Sequence, residues 1–344
     1  MSVSNVLRRR LASAAVWATG LAVLVGVVIA SPGLPSAQAS AAAPRAAGPA
    51  SLNVRTIPLI GAVTAISEAP DGAVYYSAGS AVYVVSDTLT ATPVLRFHAS
   101  GHVLAVAANS ADVFVDVNKT VTEYKRANSA KVRQWTLTGQ HRPTSAGLYV
   151  VGSRVWAWTD WSTDQSGLEY GNVYRFTNSS ATVHRVSSNN AYPYDTAADT
   201  TGFYYEAIRS NQTNGYLVRV TPSGTVLKVT DTHLSGPLAL AGGRVDLLAQ
   251  RYNSHPGLYF DSYRESTLAH VYSRRVSPRY FDIAGTGTRL LAVGTMGEVR
   301  ELSPTTAAVL SSVNVPGASM ALAGPVPAVL AVSGGSYSLN RITG

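Results

Sequence analysis

Residues 319–332 read SMALAGPVPAVLAV, and the chain ends twelve residues later at Gly344. The stretch is a small-residue strand, a Gly-Pro-Val-Pro turn and a more apolar second strand. The same opening occurs upstream in VTAISEAPDGAVYYSAGS from Val63, VLAVAANSADVFVDV from Val103 and TSAGLYVVGSRVWAW from Thr144. It recurs in YDTAADTTGFYYEAI from Tyr194, LALAGGRVDLLAQ from Leu238 and FDIAGTGTRLLAVG from Phe281. With Met320 as the seventh start, the spacings are 40, 41, 50, 44, 43 and 39 residues. No unit shows a sustained helical period, and in most of them two further strand-like runs follow. Four short strands in roughly 40–50 residues is the period of a β-propeller blade. The small first strands agree, because innermost strands crowd around a central channel where a bulky side chain from every blade would collide.

The truncated last unit then has a reason. From Met320 only 24 residues remain, enough for three strands. Ahead of the first unit lies an orphan strand-like run, SLNVRTIPLI, from Ser51 to Ile60. Placed as the outer strand of the last blade, it closes the ring. An open ring would expose two blade faces and their unpaired backbone groups. The expected fold is all-β: a seven-bladed β-propeller closed by an N-terminal strand that completes the last blade, with six or eight blades as the alternatives.

The first residues read as a leader rather than as fold. Arg8, Arg9 and Arg10 precede an apolar run from Leu11 to Ala30, and Ala37-Gln38-Ala39 supplies a small-x-small exit. That order is a secretory signal peptide over residues 1–39. The competing reading is an uncleaved membrane anchor over residues 11–30, since a spanning helix needs about 20 apolar residues. Residues 40–50, rich in Ala and Pro, read as a flexible lead-in, and residues 51–344 as the propeller domain. The expected location is extracellular, with the membrane involved only if the leader stays attached. The chain has 27 Lys and Arg against 19 Asp and Glu, and without the three leader arginines its net charge falls from +8 to +5. No sizeable Lys/Arg cluster appears in the mature sequence, so no nucleic-acid partner is expected. There is no cysteine, which removes thiol catalysis. A domain of about 300 residues buries enough surface to do without disulfides.

Ala69-Pro70-Asp71-Gly72-Ala73-Val74-Tyr75 resembles the turn between first and second strands in bacterial secreted propellers of the NHL, YVTN and streptogramin-lyase-like kind. Ser110-Ala111-Asp112-Val113-Phe114 and Thr200-Thr201-Gly202-Phe203-Tyr204 are weaker copies. The resemblance implies the fold more than an activity, because propellers host binding modules, lyases, lactonases and scaffolds alike. No Trp-Asp pair of the WD type occurs in any unit. A streptogramin-lyase-like site implies a His and a Glu converging with Mg²⁺ at the channel, and no residues here match that pattern in sequence.

Candidate binding residues follow from propeller geometry. The useful face carries the loops into each first strand and those joining second to third strands. Three of the latter are long and fall in consecutive units: Asp160 to Tyr170, Arg209 to Asn214, and Arg251 to His255. Long loops on a rigid scaffold often carry function, and tolerated surface insertion is the plainer account. Trp161, Tyr170, Tyr192 and Tyr252 suit stacking on a sugar or peptide group, with Arg209 and His255 beside them. Asp195 and Asp282 fall at the second position of their first strands and are expected to project near the channel, Asp282 with Arg279 nearby. Each aspartate has a second reading, in which it holds backbone donors. Trp156 and Trp158 alternate along a second strand, which places both indoles on one sheet face, wedged between blades. No cofactor or metal is assigned. The expectation is a monomeric, non-catalytic binding module whose ligand (a sugar, peptide or small molecule) sits at the channel mouth. The alternative is a metal-assisted lyase or lactonase-type hydrolase.

Overall fold

The computed structural model describes residues 50–343 apart from 89–90, 138–142, 144, 163–168, 178–183, 190, 210–214, 231–233, 252–255, 277–278 and 323. Residues 1–49, on which the expected signal peptide (1–39) and all but the last residue of the expected lead-in (40–50) fall, lie outside the described residues. Those described form seven sheets whose strands lie side by side in chain order, except that the first two strands join the last two sheets. The seven first strands are Ala65–Glu68, Ala105–Ala108, Ser145–Val151, Ala191–Asp199, Leu234–Ala241, Tyr280–Thr286 and Ala318–Leu322. They define blades 1 to 7, and the fold is the seven-bladed propeller expected from the repeat. No helix occurs among the described residues.

Alternation along each strand sends neighbouring residues to opposite sheet faces, and in a ring both faces meet another blade. In the second strand of blade 1, Val74 and Tyr76 pack toward blade 7 while Tyr75 packs toward blade 2. In blade 3, Val155 and Ala157 face blade 2, and Trp156 and Trp158 lie against Phe203 and Tyr205 of blade 4. The two indoles are thus wedged between blades, as their spacing requires. Each of the seven junctions has its own apolar cluster.

The ring closes through its ends. Asn53–Pro58 runs antiparallel to the third strand of blade 7, Ser336–Thr343, pairing from Asn53 with Thr343 to Pro58 with Ser338. This closing strand is shorter than the expected run from Ser51 to Ile60, and the residues just ahead of it pair with another blade. Ala50 and Ser51 lie parallel to the outer strand of blade 6, Val309–Asn314, opposite Ser311 and Ser312. The segment therefore bridges two blades before it completes the last one.

A second device recurs around the ring. An arginine of one blade donates to a carbonyl in the turn between the third and fourth strands of the next. Arg96 reaches Arg126 in blade 2, and Arg175 reaches Pro222 in blade 4. Arg219 binds Ser266 in blade 5 at 2.7 Å, and Arg274 binds Thr306 in blade 6 at 2.6 Å. Arg341 of blade 7 binds Ser86 of blade 1 at 2.9 Å, and also Gly72 of the Pro-Asp-Gly turn at 2.8 Å. That turn needs its glycine: φ is +83°, and an added Cβ would come within 2.8 Å of Val326 in blade 7. Asp71 of the same turn accepts from Arg126 of blade 2 at 2.6 Å. One turn therefore ties three blades.

Arg341 is wholly buried at the closing seam, and charge-assisted hydrogen bonds contribute about 1.5–3 kcal/mol each. Arg341→Ala is expected to lower the unfolding free energy by about 3 kcal/mol in urea titration, with both carbonyls left unsatisfied. Arg55→Ala, an exposed change on the closing strand, is expected to stay within about 0.5 kcal/mol.

Candidate functional site

The seven first strands enclose a channel with a volume of about 270 Å³. Every blade contributes at least one alanine to its lining, from Ala65 in blade 1 to Ala321 in blade 7. This is the steric consequence of seven strands meeting at one axis. The inner edge of each first strand has no fifth strand to pair with, so its N–H groups need other acceptors.

Asp195 and Asp282 supply two of them. Asp195 of blade 4 accepts from the N–H of Leu238 in blade 5 at 2.7 Å. Asp282 of blade 6 accepts from the N–H of Ala321 in blade 7, also at 2.7 Å. Both side chains are buried. A break in strand register between Pro193 and Thr196 carries Asp195 out of the regular ladder, and such bulges re-aim a side chain. Both aspartates sit deeper in their strands than the sequence suggests, because those strands begin at Ala191 and Tyr280. The geometry is that of carboxylates holding the neighbouring blade's backbone.

Strand reaches into the ends of the three expected loops, whose middles, 163–168, 210–214 and 252–255, lie outside the described residues. In blade 3 the second and third strands run to Arg154–Ser162 and Glu169–Thr177, and Trp161 pairs directly across from Tyr170. Tyr192, expected in a loop, lies within the first strand of blade 4 opposite Ile208. Arg209 ends the second strand of that blade opposite Ala191. Residues such as Trp, Tyr and Ile favour the pleated conformation, which is why the hairpins extend this far. The second strands of blades 3, 4 and 5 are 9, 8 and 8 residues long, against 5 or 6 in the other four blades. Tight turns fix their lower ends, so the added length rises at the mouth as a wall spanning three blades. Arg279 is exposed in the turn entering blade 6. Tyr252 and His255 lie outside the described residues. Among the described residues, no three His, Asp or Glu groups are grouped to hold a metal ion.

At the opposite end of the channel stands Glu68, which the sequence reading passed over. Its Oε1 accepts from Val326 of blade 7 at 2.9 Å. Gly324 leaves room for the carboxyl, since a Cβ there would lie 2.0 Å from Glu68 Cδ. Burial pushes the Glu68 pKa up to about 8, only partly offset by the Val326 hydrogen bond and the nearby Arg341 charge.

No family model and no curated protein matches this chain. Solved structures do. A chain of the Mitotic Checkpoint Complex is similar with a TM-score of 0.62 at 12% identity, covering 93% of this chain and 100% of that one. The RRP9 WD40 repeats give 0.60 at 12% identity, over 86% of this chain and 98% of that one. Hsv2 of Kluyvelomyces marxianus gives 0.55 at 9% identity, over 79% and 90%. At these identities the likeness is one of fold: a propeller with WD40-type structural neighbours, although no unit here carries the Trp-Asp pair.

Two outcomes follow from these carboxyls. Asp282→Ala strands a buried N–H and is expected to cost about 1–3 kcal/mol in urea unfolding. Asp282→Asn, which keeps an accepting oxygen, is expected to cost less. Glu68 holds its proton more tightly in the fold than at its ordinary value of 4.5. Its contribution is therefore full below pH 4.5 and is lost as pH rises toward 8. Thermal unfolding scans from pH 5 to 9 are expected to show a shallower decline for Glu68→Gln than for the natural protein.

Proposed function

We propose that this chain is an interaction scaffold: a propeller that presents its channel mouth to a protein or peptide partner outside the cell. The observation that carries this reading is the wall over blades 3, 4 and 5, where three consecutive hairpins extend on the same face of a rigid ring. Asymmetry of that kind gives a ring a preferred docking side, and its cross-strand Trp161–Tyr170 pair brings two aromatic residues of the type enriched at interfaces to one site. The structural neighbours support it at the level of architecture, since one of them is a chain of a multi-protein complex. Export is supported by the charged, apolar and small-residue order of residues 1–39.

A photo-crosslinking residue at Tyr170 tests the docking side. In extracellular medium from the source cells, adducts are expected from that position and not from Val94, an exposed site on the outer rim of blade 1. Equal labelling from both positions, or none from Tyr170, counts against the wall. Export is checked by N-terminal sequencing of the secreted protein, which is expected to begin at Ser40. Recovery only of membrane-bound chains beginning at Met1 supports the anchor instead.

A further inference from the structure

On the side of blade 5 that faces blade 4, the odd-numbered residues of three adjacent strands share one sheet surface. Toward the mouth that surface holds Arg251, Tyr259, Asp261, Ser273 and Arg275. Arg251 Nη2 donates to Asp261 Oδ1 and to Ser273 Oγ, both at 2.7 Å. Its guanidinium carbon lies 4.0 Å from the centroid of the Tyr259 ring. The Ser273 hydroxyl donates to Asp261 as well, and His270 Nε2 lies 3.1 Å from Ser273 Oγ. Arg251 is therefore held on three sides, with its side chain 18% exposed.

Arg275 is different. It pairs across from Tyr259, and its Nε lies 3.0 Å from where a Gly257 Cβ would stand. The glycine thus makes space for an exposed guanidinium beside a fixed one. No hydrogen bond or ion pair among the described residues engages the Arg275 guanidinium.

We propose that Arg275, with Arg251 and Tyr259, forms a carboxylate-binding subsite at the foot of the wall, occupied by an acidic peptide segment of the partner. A planar guanidinium fork matches a carboxylate in two parallel hydrogen bonds. The Tyr259 ring offers apolar contact to the stem of a Glu or Asp side chain. With Asp261 in place, the two arginines leave an excess of one positive charge. That suits an isolated carboxylate and is too little for a phosphate backbone, whose binding depends on many neutralised charges. The proposal rests on the scaffold reading above and names its partner chemistry.

The test uses the full chain and fluorescein-labelled poly-L-glutamate, followed by anisotropy at low salt. The natural protein is expected to bind saturably, and Arg275→Glu to weaken binding about tenfold or more. Arg275→Lys, which keeps the charge and loses the fork, is expected to fall between them. Arg55→Glu makes the same charge change on the closing strand and is expected to stay within about twofold. Equal losses in Arg55→Glu and Arg275→Glu overturn the subsite, as does the absence of saturable binding. Stronger displacement by a single-stranded oligonucleotide than by unlabelled poly-L-glutamate also overturns it, in favour of nucleic acid. The Tyr170 crosslinking outcome is independent of all these. Adducts at Tyr170 with no Arg275 effect remove the subsite and leave the scaffold standing, whereas loss of the adducts removes the scaffold itself.

Discussion

The molecule stands on one backbone pairing, that of Asn53–Pro58 with the strand ending at Thr343. Bringing together positions nearly 300 residues apart costs roughly 5 kcal/mol of chain entropy, and six paired positions must offset it. The strand does more than pair. Leu52 and Val54 pack into the junction between blades 6 and 7, while Ile57 packs into the junction between blades 7 and 1. Removing it would open an edge and hollow two interfaces at once. This is why a repeat that stops after three strands is part of the design.

Charge is used differently here from what composition implies. A chain with a net charge of +8 looks like one with a mildly basic surface. Five of its arginines instead join blade to blade, each guanidinium reaching the turn carbonyls of the next repeat. Carbonyl acceptors carry no full charge, so these contacts leave the net charge unbalanced while still ordering the ring. Two acids at the axis perform the reciprocal task, accepting from backbone N–H groups. The Trp-Asp signature of WD-type repeats is absent from the sequence, yet the blade geometry is reached by these other polar contacts.

The fold was legible because its causes are periodic. Repeat spacing, small residues from every blade at the channel and alternation along strands all follow from steric rules that act locally. The closing strand was legible because the last unit lacked one. The aspartates were harder to interpret. Asp195 and Asp282 find their partners 43 and 39 residues downstream, in the next blade. That separation is one repeat, so the pairing had a signal in the sequence, but only to a reader who compared positions a full period apart. Arg209 and Trp161 read as loop because polar turn residues follow them, and Tyr192 because Ser187-Ser188-Asn189-Asn190 precedes it. Hairpin pairing carries the strands farther than those turn signals suggest. Arg275 gave no sequence signal at all, since its meaning depends on Gly257 across the sheet.

The closing ladder also sets how the molecule carries tension. Asn53 faces Thr343 on the first rung, so polypeptide continuing beyond either terminus leaves from the same end of the ladder. A pull that separates the two tails loads the rungs one after another, as in a zip, instead of all together in shear. Ala50 and Ser51 on blade 6 are the first contacts in the path of such a load. The ring is therefore mechanically weakest where its ends meet.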